Sequence, residues 1–446
     1  MKTHALALLA LVLALPGAAA AQSSDSTFYG SLMEFGDAVA TTGATATTNP
    51  VTAAQVPTFS GQNLPRRARL TSGTSNLGFK GQLELVPGLK AIFQVESAVS
   101  PDGDAPNAWA SRNSQVGLTG DWGTAFYGLW DTPYKAPILM VGPLRGLNPF
   151  DNAITANPGF NVPGTTTQTG RAAAKADASF NRRQGNSLQY WSPKFHGLSA
   201  RVAYGFDESR TTKGATAPGI GPRLYSALLS YDLDTLGVRY GYERHVDYFG
   251  LAQLGGNGPT FTNGGSTDQA HELVAFYGFP TGTKLSAIVE RLSYENRDTA
   301  AGAVKSYTRD SFYVLAQQRV GAHQVWGSFG KGLEGDCKKV GGAACSTDGL
   351  SGTQLALGYS YSITKSFDVF ASWYRMVNGT SASYSNFPPV GAVAPGADVS
   401  GFGVGVLYTF SGSFLKPEPP PAAPAPAPAP APAAQPAAAP VAPAAK

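Results

Sequence analysis

Apolar and polar residues alternate along much of this 446-residue chain, as the segment GLKAIFQVES (88–97) shows. In a strand over that segment, Leu89 and Phe93 would point to one side and Lys90 and Gln94 to the other. Sixteen segments with this period are predicted to be strands, near residues 26–36, 76–86, 88–98, 110–120, 123–131, 184–191, 197–207, 222–232, 235–246, 268–279, 282–296, 306–320, 322–333, 352–363, 366–377 and 400–410.

The connections between these segments alternate in length. Tight turns such as VPG (86–88) and PTG (280–282) alternate with long loops such as 37–75 and 132–183. This order joins consecutive strands into antiparallel hairpins. Tilted strands of about ten residues are long enough to cross a bilayer. Short turns on one side and long loops on the other are typical of an outer-membrane barrel.

The apolar faces of the predicted strands often end in tyrosine, phenylalanine or tryptophan, as in LALGYSY (355–361) and VGVLYTF (404–410). Such residues favour the level of the lipid headgroups. A sheet in lipid must close, because every backbone polar group needs a partner there. We therefore predict an all-β fold, a 16-stranded antiparallel transmembrane β-barrel around a wide aqueous channel. A soluble β-sandwich would alternate too, but strands this long would leave its interior unfilled.

The two ends of the chain differ in composition from the part between them. Residues 1–21 combine Lys2, an apolar run too short to span a bilayer and small residues before Gln22, as in a secretory signal peptide. Residues 411–446 are dominated by proline and alanine from Pro417 onward, and such a segment cannot form a packed core. We predict a signal peptide, a barrel over 22–410 and a disordered tail in the periplasm.

The two cysteines of the chain, Cys337 and Cys345, lie in the segment CKKVGGAAC. An exported chain meets an oxidising compartment, and the intervening glycines let a small loop close, so we expect a disulfide. A redox pair would normally be closer together in sequence, and a metal site would need more ligands than the scattered histidines offer. We expect no metal and no cofactor.

The charge pattern argues against two classes of function. The net charge of +4 is small and evenly spread, and the basic cluster Arg66, Arg67 and Arg69 has no aromatic platform beside it, so no nucleic-acid partner is expected. The chain also has no glycine-rich phosphate loop after a strand, no nucleophile elbow and no metal-spaced histidines. We therefore do not expect an enzyme.

Several longer segments resemble one family, the general porins of Gram-negative outer membranes, in particular the β-proteobacterial trimeric type. They are STFYGSLMEFGDA (26–38), SNLGFKGQLELVPGLKAIFQVES (75–97), SRNSQVGLTGDWGTAFYG (111–128) and GNSLQYWSPKFHGLSARVAYGF (185–206). The resemblance implies a homotrimeric diffusion pore surrounded by outer-membrane lipid. It also implies that the barrel-assembly machinery reads the last strand, at Gly405, Tyr408 and Phe410, with Phe414 as an alternative terminal phenylalanine.

The resemblance further implies that the loop 132–183 folds inward as a third loop and narrows the pore. Arg183 corresponds to a family arginine, with the parity of the polar face at Ser187. Arg112 corresponds to another, but its parity groups it with Val116, so it would need a bulge to reach the lumen. The predicted constriction residues are Arg183, Arg182, Arg112, Glu96, Lys80, Asp151, Asp131 and Arg145.

The function predicted from these features is a water-filled channel for the passive diffusion of ions and small hydrophilic solutes. The polar-face charges predict a modest anion preference, with seven basic positions against four acidic ones. These are Lys80, Lys90, Arg183, Arg201, Arg239, Lys284 and Arg319 against Glu84, Glu96, Glu243 and Glu290.

Two alternatives stay open at this point. A substrate-selective channel would line its path with an aromatic slide or a basic ladder, for which Trp130, Trp191, Trp326 and Trp373 are candidates. A structural anchor would instead use the proline- and alanine-rich tail to contact peptidoglycan or a periplasmic protein. Conductance per trimer separates them, because a diffusion pore does not saturate, a selective channel saturates with its solute and an anchor conducts little.

Overall fold

A computed structural model describes residues 24–45, 63–103, 108–142, 152–160, 178–206, 212, 219–251, 265–297, 301–385 and 393–415. Within them, one antiparallel sheet contains every strand. The strands are β1 (Ser24–Thr42), β2 (Arg67–Ser72), β3 (Asn76–Val86), β4 (Leu89–Ala98), β5 (Ser114–Gly120), β6 (Gly123–Asp131), β7 (Arg183–Trp191), β8 (Leu198–Phe206), β9 (Arg223–Asp232), β10 (Leu236–Val246), β11 (Ser266–Gly278), β12 (Thr283–Asn296), β13 (Val304–Val320), β14 (His323–Gly332), β15 (Asp336–Lys339), β16 (Gly352–Ser362), β17 (Phe367–Asn378) and β18 (Asp398–Leu415).

The sheet closes into a barrel because β1 pairs on both sides. Along nearly its whole length β1 pairs with β18, from Ser26 opposite Leu415 to Thr42 opposite Asp398. Its first residues also pair with β3, up to Ser31. Apart from the short strands β2 and β15, each strand pairs with its neighbours in chain order, so sixteen strands form the wall. The predicted 16-stranded antiparallel barrel is confirmed.

Three predicted strand boundaries differ from the structure by more than two residues. β1 and β18 run beyond the predicted residues 36 and 410, because the two strands continue to pair with each other up to Thr42 and Leu415. β5 begins at Ser114 rather than near residue 110, since Ala110 has a φ of +52°, outside the extended region. The first five residues of the predicted tail, 411–415, belong to β18, because they continue to pair with β1. The predicted signal peptide and the rest of the tail lie outside the described residues.

The two faces of the wall have opposite chemistry. On β9, for example, Leu229 is 53% exposed on one face while Ser230 is 6% exposed on the other. Burying this apolar surface in lipid is favourable, and the polar face encloses the lumen. The exposed outer face also includes Val116, Leu188, Val202, Leu273, Val289, Val325, Leu357 and Val404.

The short strands β2 and β15 lie in loops and were not predicted. β2 pairs with β1 through Arg67 to Ser72, and Arg69 forms an ion pair with Asp37 at 2.5 Å. β15 pairs with β13, and Cys337 in it is joined to Cys345 by a disulfide. Segments of four to six residues are too short for an alternation pattern to stand out from loop sequence.

The residues of the predicted assembly signal lie on the wall near the seam between β1 and β18. Phe410 is paired with Gly30, and its ring centroid is 5.5 Å from that of Phe28. A Cβ atom built on Gly30 would come within 2.5 Å of the Phe410 ring. Gly405 is likewise opposite Phe35, where a Cβ atom would meet backbone and side chain at similar distances. Glycine therefore leaves room for the Phe410 ring at position 30 and for the β1 backbone at position 405.

One short helix, α1 (Lys135–Met140), follows β6. No helix among the described residues is long and apolar enough to cross a membrane. The loop L3 (residues 132–182), of which 132–142, 152–160 and 178–182 are described, packs inside the barrel. Its residues Val141, Ala153 and Ile154 share an apolar cluster with inner-face residues such as Ile288 and Leu315. The predicted inward-folded third loop is confirmed.

Candidate pore constriction

A buried carboxylate, Glu290, attaches the third loop to the barrel wall at β12. Glu290, on the inner face of β12, accepts a hydrogen bond from the Tyr134 hydroxyl at 2.8 Å and another from the backbone N–H of Ala156. Tyr134 begins the loop and Ala156 lies in its middle, so Glu290 holds two separate parts of L3. Burial raises the pKa of Tyr134 well above its ordinary value, so the tyrosine stays a donor.

Arg309 on β13 neutralises Glu290. Its Nη2 atom lies 2.9 Å from Glu290 Oε1, and both side chains are fully buried. Arg309 also donates to the carbonyl oxygen of Ile154 in L3 at 3.0 Å and to the Tyr384 hydroxyl. A buried charge is tolerated only when it is paired and hydrogen-bonded, and this network satisfies that condition. The pair therefore fixes L3 against the wall of β12 and β13.

Two further contacts attach the middle of L3. The backbone N–H of Ala153 donates to Gln354 Oε1 on β16 at 2.9 Å. The carbonyl oxygen of Gly159 accepts a bond of 2.7 Å from the N–H of Ser383, in the loop before β18. L3 thus spans the lumen from the end of β6 to the wall formed by β12, β13 and β16.

Tyr29, Lys80 and Arg112 form a cluster with Glu96 on the wall of β1, β3 and β4. The Tyr29 hydroxyl donates to Glu96 Oε2 at 3.0 Å, and Arg112 Nε donates to Glu96 Oε1 at 2.6 Å. The Lys80 ammonium, which is exposed, lies 5.3 Å from the centre of the Tyr29 ring. Tyr29 therefore links Lys80 to the ion pair of Glu96 and Arg112.

Arg112 reaches the lumen without the bulge that its parity demanded. It precedes β5 instead of lying in it, so the alternation of that strand does not decide its direction. Its own N–H donates to the carbonyl oxygen of Glu96 at 2.9 Å, which brings its side chain beside the Glu96 carboxylate. The expectation of a bulge is wrong because the strand starts later than its sequence pattern indicates.

A second cluster lies where β6 and β7 meet L3. Arg183 is paired with Asp131 across the two strands, and Arg183 Nη2 lies 3.4 Å from Asp131 Oδ1. Asn113 bridges them, accepting from Arg183 Nε at 2.6 Å and donating to Asp131 Oδ2 at 2.9 Å. Lys135 of α1 adds its ammonium 3.0 Å from Asp131 Oδ1.

The register at this point differs from the simple alternation expected for Arg183. β7 carries one extra residue between Ser187 and Gln184, and Asn186 there has a φ of +49°. This bulge interrupts the parity that links Arg183 to Ser187 and places Arg183 directly opposite Asp131. Bulges next to functional sites commonly redirect a side chain in this way.

Sequence reasoning did not find Lys135, and it had little signal to find it. Lys135 lies four residues after Asp131 at the start of a loop, outside any alternating segment. Its side chain is largely buried, which lowers the pKa of Lys135 below the ordinary lysine value, while Asp131 acts in the opposite direction. One carboxylate, Asp131, therefore serves two cations, Arg183 and Lys135.

Of the remaining predicted constriction residues, Arg182 is described and does not join these clusters. Arg182 is fully buried, and its guanidinium carbon lies 4.6 Å from the centre of the Tyr248 ring, beyond β10. Neighbouring residues of an extended chain point in opposite directions, which separates Arg182 from Arg183. Arg145 and Asp151 lie outside the described residues.

Comparisons with known proteins agree with this architecture. The sequence profile of the Gram-negative porin family matches residues 5–381, and the chain belongs to that family. As a member, it is an outer-membrane protein. The anion-selective porin from Comamonas acidovorans superposes with a TM-score of 0.64 at 20% identity, covering 87% of this chain and 100% of that one, which shows a shared fold.

Curated relatives are similar over parts of the chain. Outer membrane porin protein 32 of Delftia acidovorans is 29% identical over 232 residues, which are 50% of this chain and 57% of that protein. Major outer membrane protein P.IB of Neisseria lactamica is 26% identical over 71% of this chain and 82% of its own length. Major outer membrane protein P.IA of Neisseria meningitidis serogroup C is 32% identical over 34% of this chain and 33% of its own length. The chain thus spans between about a third and four fifths of the length of these relatives.

Proposed function

We propose that this protein forms a water-filled channel for the passive diffusion of ions and small hydrophilic solutes, with a weak preference for anions. The proposal rests on the arrangement of the lumen, in which L3 is fixed to one wall and charged clusters lie on the other. L3 is fixed to the wall of β12, β13 and β16 by Glu290 and Arg309, while the clusters around Glu96 and Asp131 lie on the opposite wall. The solute path then passes between an anchored loop and a charged wall.

The anion preference follows from which charges are left without an opposite partner. Glu96 is paired with Arg112, Glu290 with Arg309, and Asp131 with both Arg183 and Lys135. Among the described residues, five inward cations make no ion pair, and the inward carboxylate Glu272 makes none either. Where such cations outnumber carboxylates along the solute path, they raise the local concentration of anions. The five are Lys80, Lys90, Arg201, Lys284 and Arg319.

The relatives support the same function. One solved structure with this fold is described as an anion-selective porin, and one curated relative as an outer membrane porin protein. Passive diffusion needs no catalytic group, and neither a solute-selective channel nor a purely structural anchor has comparable support. We also propose a homotrimer assembled by the barrel-assembly machinery, and a tail that contacts peptidoglycan or a periplasmic protein.

Planar-bilayer recording tests the channel and its subunit count together. Purified protein is expected to insert as a channel whose current rises linearly with salt and closes in three equal steps under high voltage. A current that saturates with one solute would favour a selective channel, and the absence of conductance would favour an anchor. Binding of purified peptidoglycan by the full chain, compared with a chain ending at Leu415, tests the tail. Equal recovery would reject the tether.

A further inference from the structure

Three cations form a row on the inner face of the barrel, in the half nearest the short turns. Arg201 is the fourth residue of β8, Arg239 the fourth of β10 and Lys284 the second of β12. All three strands start at short turns, so these residues lie near the same end of the lumen. We call Arg201, Arg239 and Lys284 the basic ladder.

Each cation of the basic ladder lies against an aromatic ring. The guanidinium carbon of Arg201 lies 4.3 Å from the centre of the Trp191 ring. One ring, Phe276, carries both of the others, with Arg239 at 5.1 Å and Lys284 at 4.7 Å from its centre. Cation–π contacts attract a cation but leave its charge unneutralised. The ladder therefore keeps its positive field.

The position of Phe276 depends on a glycine. Gly237 lies opposite Phe276 across β10 and β11, and a Cβ atom there would come within 2.2 Å of the ring. Because Gly237 has no side chain, the ring lies over the β10 backbone, between Arg239 and Lys284. The wall is thus shaped to bring two cations to one ring.

A single carboxylate accompanies the basic ladder. Asp232 accepts from Arg239 Nη2 at 2.8 Å, and α1 of L3 contacts Arg239 through Met140. Arg201 and Lys284 make no ion pair in the part of the chain that the structure describes. Three cations and one anion leave a charge of about +2 in a narrow region, where like charges repel more strongly than in bulk water. A small anion between them would relieve that repulsion.

We propose that the basic ladder is a binding site for small divalent oxyanions, of which inorganic phosphate is the simplest. Guanidinium groups match the fork of oxygens on phosphate, and the Lys284 ammonium adds a compact charge. The site lies between L3 and the short-turn end of the lumen, separate from the clusters around Glu96 and Asp131. This inference rests on the proposed function, because it requires an aqueous path along that wall.

The test compares chloride current through single channels with and without inorganic phosphate on both sides of a planar bilayer. The ladder variant is Arg201→Gln/Lys284→Gln, which leaves the Arg239–Asp232 pair in place so that no carboxylate loses its partner. The control variant is Lys90→Gln/Arg319→Gln, which removes two inward cations at the same end of the lumen, on β4 and β13. Heat-modifiable migration on gels verifies that each barrel has folded.

Phosphate is expected to reduce chloride current through the wild-type channel with a saturating concentration dependence. The control variant should respond at the same concentrations, whereas the ladder variant should need at least about tenfold more phosphate, because each lost charge-assisted hydrogen bond weakens binding by about that factor. An equal response of the two variants, or a wild-type chloride current that phosphate does not reduce, would overturn the proposal. A wild-type protein that conducts no ions at all would instead overturn the proposed function, and the ladder with it.

Discussion

Arg309 Nη2 lies 2.9 Å from Glu290 Oε1, and this fully buried pair joins the barrel wall to the loop that narrows it. Both residues also contact L3 directly, Glu290 through Tyr134 and Arg309 through Ile154. A single ion pair therefore connects the stability of the wall with the position of the loop. The same contact predicts how mutation changes both properties.

Replacing Arg309 with methionine leaves Glu290 buried without its cation. Breaking a buried ion pair costs about 3 to 5 kcal/mol, so the free energy of unfolding measured in urea should fall by that amount. L3 also loses its bond at Ile154, and single-channel recordings should show larger and noisier currents. The control is Arg291→Gln, next to Glu290 in sequence, because Arg291 belongs to an exposed pair with Asp310. A stability change of the same size in both variants would contradict the assigned role of Arg309.

Neutralising single charges in the cluster of Asp131, Arg183 and Lys135 should shift the anion preference in opposite directions. Asp131→Asn removes the one carboxylate that both cations share, so the anion preference should increase. Arg183→Gln should decrease it, because Asp131 then balances Lys135 and the cluster loses its net positive charge. Reversal potentials in a potassium chloride gradient measure both changes. Glu295→Gln, on the outer face of β12, alters charge equally without facing the lumen and should leave the potential unchanged.

The pH dependence of the anion preference follows from Lys135. Burial lowers the pKa of Lys135, so this ammonium loses its proton at a lower pH than ordinary lysines do. Loss of a positive charge beside Asp131 should reduce the anion preference as pH rises towards the ordinary lysine range. Reversal potentials measured at successive pH values should therefore fall earlier in the wild type than in Lys135→Met. Identical profiles would show that Lys135 does not act on the ion path.

The seam between β1 and β18 predicts an assembly defect. Gly30→Val would place a side chain where the Phe410 ring lies, since even a Cβ atom comes within 2.5 Å of that ring. We expect less folded barrel in outer-membrane fractions and a lower urea midpoint. Gly412→Ala is the matched control on β18, because nothing lies within 4 Å of a Cβ atom there. Normal yields of the Gly30 variant would show that the Phe410 contact is dispensable.

The wall of the barrel was predictable because its signal is repeated in every strand. A strand such as β16, predicted over 352–363 and found over Gly352–Ser362, alternates along its whole length. One face must meet lipid and the other the lumen, so a shift by one residue would reverse every side chain. This constraint makes both the number of strands and their register readable from sequence.

The interior was less predictable because it depends on contacts between residues far apart in the chain. Arg309 shares its parity with the inner face, yet nothing near it in sequence indicates that it meets Ile154, 155 positions away. Lys135 and Asn113 belong to loops, where alternation carries no information. Arg112 and Arg183 were found through family resemblance, while a late strand start and a bulge determined how they reach the lumen.

The central claim is that ions cross the membrane through a lumen with an excess of positive charge. The most direct measurement is the reversal potential of wild-type channels in a planar bilayer that separates two concentrations of potassium chloride. The account predicts a potential of the sign that chloride-preferring conduction gives, reduced at high salt as the charges are screened. A potential of the opposite sign, or a bilayer that stays non-conducting, would contradict it.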